Sequence, residues 1–261
     1  MQFSGRMLET LARLGYASKA VIYGIVGVLA ILAVTNRGGA VTDTTGALHV
    51  IFTRPFGRAL LIIMAVGLCG YGAWRVLDAF LNPDRDSLFV RVGNAVRGGV
   101  YGLLGVRAIQ LLRGLTASSG DDAERWTATL LDVPFGAIVV GIVGAVVAGY
   151  GASQVMQGIS GKHDEKIDWS PIPRDVRVPV QRVSQFGVAT RGGILVTLGV
   201  FLIRAAFTDD PNQAAGPRES LLRLGGLFDG RWFLAILAAG VLAYAVDQAV
   251  HARCRRIRPV V

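Results

Sequence analysis

Three cations recur at one position of a repeating pattern. Lys19, Arg97 and Arg191 are spaced by 78 and 94 residues; each follows a glycine by four positions, at Gly15, Gly93 and Gly187, and each leads into an apolar run. A long basic side chain just inside an apolar helix has two uses. It snorkels outward to phosphate headgroups and helps to fix topology, or it joins its counterparts in a basic ring that binds an anion or an anionic lipid head through charge-assisted hydrogen bonds. Three tyrosines recur alongside. Tyr71, Tyr150 and Tyr244 lie 14 residues past Gly57, Gly136 and Gly230, about 21 Å along a helix, near the depth of Tyr23 and Tyr101. Gly70-Tyr71-Gly72 and Gly149-Tyr150-Gly151 invite comparison with a potassium filter. They match poorly, because Leu68-Cys69 and Val147-Ala148 precede them inside long apolar runs, where a filter needs Thr-Val and a re-entrant loop. The alternative is that small residues admit close packing while the hydroxyls bond across helices or join an interfacial belt.

Arg107 is the deepest cation, with Gln110 one turn on; the equivalent positions hold Leu29 and Phe201, so the repeat does not require it. A charge at that depth costs about 2.5 to 3.5 kcal/mol on insertion scales. It faces a partner or a wet cavity, snorkels outward, or bonds an outer acid such as Asp132 or Glu124. Asp78 and Asp247 read as interfacial ion-pair partners of nearby arginines, with a proton relay as the other use. Cys69 reads as a packed core thiol and Cys254 as an exposed thiol of the basic tail, and His49, His163 and His251 fall in two loops and a terminus. With no HExxH or Cys-pair spacing there is no metal site to propose, and no cofactor. No Ser-His-Asp, GxGxxG or Walker pattern supports catalysis either, so the expectation is a non-enzymatic protein.

These residues need apolar helices to hold them. The chain has 261 residues, 52% hydrophobic and 17% charged, with mean hydropathy +0.49, outside the usual range of soluble domains. Its net charge of +9 is spread between apolar runs rather than gathered in a patch, which excludes a nucleic-acid footprint. A bilayer core about 30 Å thick needs roughly 20 apolar residues per helix, and six segments qualify. They run from Ala17 to Val34, Arg58 to Phe80, Ala95 to Leu112, Phe135 to Gln157, Val188 to Phe207 and Trp232 to Val250. The third is weakest, because Arg97 and Arg107 lie inside it. Phe3, Met7, Leu11 and Leu14 share a helical face and predict a short helix in the interface before the first span; no cleavage site follows, so the segment is kept in the mature protein. Seventeen of the 27 basic residues fall on the side holding both termini, which the positive-inside rule makes cytoplasmic. Only Lys19, Lys162 and Lys166 are lysine, a bias that points to a bacterial source.

The repeat extends beyond the cations. Leu14-Gly15-Tyr16-Ala17-Ser18-Lys19 aligns with Val92-Gly93-Asn94-Ala95-Val96-Arg97 and with Phe186-Gly187-Val188-Ala189-Thr190-Arg191, and Pro55-Phe56-Gly57 with Pro134-Phe135-Gly136. Three tandem units follow, 1–90, 91–175 and 176–261, each with two spans and so inserted in one sense. That favours a pseudo-threefold axis along the membrane normal. Gly98 and Gly102, Ala20 and Gly24, and Gly141, Gly144 and Ala148 are the close-packing positions; the mixed-charge loop from Gly158 to Gln185 reads as a cytoplasmic linker. On these motifs the chain resembles the bacterial membrane proteins built from three copies of domain of unknown function 1206. The departures are Lys19 for arginine and a degenerate third Pro-Phe and Gly-Tyr-Gly. The resemblance implies fold and location, an all-α six-span protein of the bacterial plasma membrane, and no activity. Two functional readings remain: a structural or anionic-lipid-binding protein with membrane lipids as partners, and a small-solute or ion pathway along the pseudo-axis.

Overall fold

The computed structural model describes residues 3–37, 41–81, 88–115, 122–161, 167–214, 216–227 and 231–254. Among these there is no strand. The long helices are α1 (Phe3–Val34), α3 (Gly57–Leu81), α4 (Leu88–Leu112), α6 (Gly136–Ser160), α7 (Arg174–Thr208) and α9 (Arg231–Cys254), and short helices α2 (Thr44–Phe52), α5 (Asp122–Leu131) and α8 (Pro217–Leu227) join the pairs. Five long helices, α1, α3, α6, α7 and α9, are long and apolar enough to cross a membrane. α4 matches them in length and carries Arg91, Arg97 and Arg107.

Each expected span falls inside a long helix, save that Phe135 directly precedes α6, and four expectations are corrected. The amphipathic stretch from Phe3 is continuous with the first span in α1, not a separate helix, since nothing between them breaks the backbone ladder. The segments between spans are helical, so His49 lies in α2 and not in a loop; Asp43 caps this helix by accepting from the Gly46 amide at 2.8 Å. Cys254 is buried, not exposed, and its carbonyl accepts the Asp168 amide at 2.8 Å. Beside it Arg13 Nη1 donates to the Ala252 and Arg253 carbonyls at 2.9 and 2.7 Å, satisfying the free end of α9. The Gly158 to Gln185 stretch is not one loop, because α6 runs to Ser160 and α7 begins at Arg174; His163, within 162–166, lies outside the described residues.

The Pro-Phe-Gly motif is a corner. Phe56 and Phe135 sit in the left-handed region at φ 62° and 67°, a strained choice for an aromatic residue. Each turns the chain from a short helix into a long one, while the following Gly57 and Gly136 let the Ile51 and Leu130 carbonyls press against the backbone. Both rings are almost fully exposed, as an interfacial anchor requires.

The most extensive packing is between repeats, α3 on α4, α6 on α7 and α9 on α1. Glycines set it. A Cβ at Gly72 would lie 2.8 Å from the Gly98 carbonyl oxygen and 2.9 Å from the Gly102 Cα, and one at the equivalent Gly151 would lie 2.7 Å from the Gly192 oxygen. Within repeats, α1 packs on α3 and α7 on α9, but among the described residues α4 and α6 barely touch. The side chains explain this gap. In repeats 1 and 3 the crossing is made by Ser18 against Gly67 and by Thr190 against Gly240. Repeat 2 has Val96 and Val146 at these positions, and two β-branched side chains replace a hydroxyl against a glycine. Gly93, the counterpart of Gly15 and Gly187, accordingly meets no backbone of α6, whereas Gly15 packs on Tyr71 and Gly187 on Tyr244.

Candidate functional site

The packing order brings the recurrent residues to one place. Lys19, Arg97, Arg191, Tyr71, Tyr150 and Tyr244 all line a single polar cavity of about 70 Å³. Each cation lies on the tyrosine of its own repeat: Lys19 Nζ is 3.3 Å from the centroid of Tyr71, the Arg97 guanidinium 4.8 Å from Tyr150 and that of Arg191 5.0 Å from Tyr244. Lys19 also faces Tyr101 at 3.5 Å. It is only 2% exposed, so Lys19 does not snorkel to the surface. Arg97 and Arg191 are half-buried.

The residue one turn beyond each tyrosine also reaches the cavity. These are Arg75, Gln154 and Gln248. Arg191 Nη1 donates to Gln154 Oε1 at 2.8 Å. Arg75 donates from Nε to the Tyr71 hydroxyl at 3.0 Å, from Nη2 to the Tyr16 hydroxyl at 3.1 Å and from Nη1 to Asn94 Oδ1 at 3.3 Å. His251 and its repeat equivalent Gln157 complete the wall. Sequence reading passed over Arg75, Gln154, Gln248 and His251. Their signal was available, since positions four residues past a helical tyrosine, and seven past it for His251, lie on the same face. His251 is buried rather than terminal: its Nδ1 lies 2.9 Å from the Asp247 carbonyl oxygen and 3.5 Å from Asp247 Oδ1.

Asp247 is buried in the bundle, not at the interface, and its Oδ2 accepts from Gln248 Nε2 at 2.8 Å. The side chain of Asp78 lies outside the described residues. Among the described residues no acid lines the cavity and no ion pair involves Lys19, Arg97 or Arg191. Also among the described residues, no group of three His, Cys, Asp or Glu side chains could hold a metal ion. Withdrawing a cation from water costs several kcal/mol even after relaxation, while a ring face returns about 0.5 to 2 kcal/mol. The tyrosines offset part of the cost of gathering these cations.

Arg107 is not part of this group. It lines a second, mostly apolar cavity of about 360 Å³ with Thr42 to Thr45, Val100, Leu103, Ile194 and Leu221. The two cavities share Tyr101, Arg191 and Tyr244. Between them Tyr23 and Tyr101 hydroxyls meet at 3.2 Å, and Tyr23 stands edge-on to Tyr244 with centroids 4.8 Å apart.

The chain is 29% identical over 244 residues to "Uncharacterized protein YxxB" of Bacillus subtilis (strain 168), covering 92% of this chain and 88% of that protein. No solved structure matches it. The family described as Domain of Unknown Function (DUF1206) matches three times, at residues 14–82, 92–161 and 186–255, and each match contains one of Lys19, Arg97 and Arg191, one of Tyr71, Tyr150 and Tyr244, and the polar residue a turn beyond that tyrosine. The three matches together span most of the sequence, and the chain therefore belongs to the DUF1206 family.

Proposed function

We propose that this chain is a non-enzymatic protein of the bacterial plasma membrane that holds an anionic group, the head of a membrane lipid, at the meeting point of Lys19, Arg97 and Arg191. The observation that carries it is the convergence of three repeat-equivalent cations on one cavity without a described carboxylate. Arginine stays protonated in proteins, so Arg97 and Arg191 keep two positive charges at the cavity whatever the state of Lys19. A volume of 70 Å³ is room for about five water-sized groups, the scale of one phosphate.

In this reading all six long helices cross the bilayer, in pseudo-threefold arrangement about the membrane normal and with both termini cytoplasmic. The low hydropathy of α4 fits the reading. Arg97 is turned to the cavity, while Val96, Val100, Leu103 and Val106 share the exposed face. The test is lipid retention on the purified protein, read by native mass spectrometry. The Lys19→Gln/Arg97→Gln/Arg191→Gln variant is expected to lose its enrichment in anionic lipid. Arg97→Gln alone is expected to weaken retention about tenfold, as loss of one charge-assisted bond implies. Unchanged retention in both variants overturns the reading.

A second reading, a path for a small ion, is favoured by one observation: the polar and apolar cavities share Tyr101, Arg191 and Tyr244. Flux of phosphate or chloride into liposomes containing the protein, above that of empty liposomes, would select it.

A further inference from the structure

The cation site has an apolar extension whose wall on α4 is open to the surface of the bundle. In repeats 1 and 3, Ile22 and Ile194 are 1% and 9% exposed, whereas their equivalent in repeat 2, Val100, is 56% exposed. Leu103, one turn on, is 65% exposed, and both line the larger cavity, whose inner end is Arg191 with Tyr101 and Tyr244. The opening follows from the missing contact between α4 and α6 and from the valines that replace Ser/Gly and Thr/Gly there. On α6, Ile138, Val139, Ile142 and Val143 are also exposed.

We infer that the gap between α4 and α6 is a side portal through which the hydrocarbon chain of a phosphate-bearing amphiphile lies in the apolar cavity while its head is held by Lys19, Arg97 and Arg191. The inference rests on the anion-binding reading above and adds a ligand class and a route. Charge and polarity select this occupant. Apart from Arg107, Asp43 and the threonines beside it the wall is apolar, and Arg191 stands at its inner end, so a neutral hydrocarbon leaves Arg191 unmatched and a free anion leaves the apolar wall bare. At about 360 Å³ it lies within the span of small-molecule sites, about 300 to 1,000 Å³. A chain entering from the side need not leave the hydrocarbon of the bilayer, and the head reaches the cations past Tyr101 and Tyr244, which line both cavities.

The experiment measures binding of dodecyl phosphate and of inorganic phosphate to the full chain purified in a neutral maltoside detergent. Dodecyl phosphate is expected to bind at least tenfold more tightly than inorganic phosphate. Val100→Trp/Leu103→Trp, two exposed positions on the portal, is expected to remove that advantage while leaving inorganic phosphate binding unchanged. In a second measurement, dodecyl phosphate carrying a terminal diazirine is expected to cross-link to 98–107 of α4 and 194–195 of α7. Equal binding of the two ligands, or cross-links confined to other segments, overturns the portal and leaves the head site standing. Failure of both ligands to bind overturns the anion site itself. A dimer in detergent that protects a cysteine placed at Leu103 from labelling also overturns the portal, because a second copy would then cover this face.

Discussion

The carbonyl oxygen of Gly98 stands where a side chain at Gly72 would begin, 2.8 Å from the position of its Cβ, and the Gly72 oxygen stands likewise to Gly98. Backbone meets backbone there, with no flexible side chain to give way. Gly72→Ala is therefore expected to destabilise the protein by about 1 to 3 kcal/mol, the usual cost of overpacking, seen as a lower Tm in detergent. The equivalent Gly151→Ala is expected to do the same. Gly99→Ala, with nothing within 4 Å of its Cβ, is the control, and is expected to be neutral or slightly stabilising.

Gln154→Glu places a carboxylate beside Arg191, whose Nη1 already lies 2.8 Å from the Gln154 side-chain oxygen. The substitution keeps the shape and supplies the missing negative charge. Anionic-lipid retention is expected to fall at least tenfold while the Tm of the lipid-stripped protein rises or holds. A variant that retains lipid like the parent would argue that excess positive charge does not hold the ligand.

Repeat 2 is expected to close when given the residues of its neighbours. With Val96→Ser and Val146→Gly, α4 and α6 acquire the small pair found at Ser18 and Gly67. Nitroxides at the exposed positions Val106 and Ile142 are then expected to approach by several ångströms in pulsed electron resonance. An unchanged distance would assign the gap to another cause.

The orientation is tested with reporters. A reporter active only in the cytoplasm is expected to work when fused after Val261, and one active only outside the cell is expected to be silent there. The reverse result overturns the charge-based topology.

Much of this was legible because the repeat amplifies weak signals. A single Lys19 or Tyr71 says little, but recurrence at offsets of 78, 79 and 94 identified both triplets, and the structure brings them to one cavity. Snorkelling was the simpler reading of Lys19 because sequence gives depth along a helix and not the direction faced. Arg75, Gln154 and Gln248 escaped because their chemistry differs between repeats while their position does not. The helices α2, α5 and α8 escaped for another reason: at 9, 10 and 11 residues they are too short to span a membrane. Cys254 looked exposed because Arg253 and Arg255 flank it, yet Arg13 and Asp168 fold that end of α9 inward.

Arg75, Gln154 and Gln248 occupy one position of the repeat, and each reaches the shared cavity. Three separate copies of a single unit would be bound to present the same side chain three times, so any alteration of the centre would be tripled. Joining the units in one polypeptide removes that restriction. One wall can keep a third arginine and another can lose its helix contact, so a lopsided molecule can sit in a nearly regular frame and be held in one orientation.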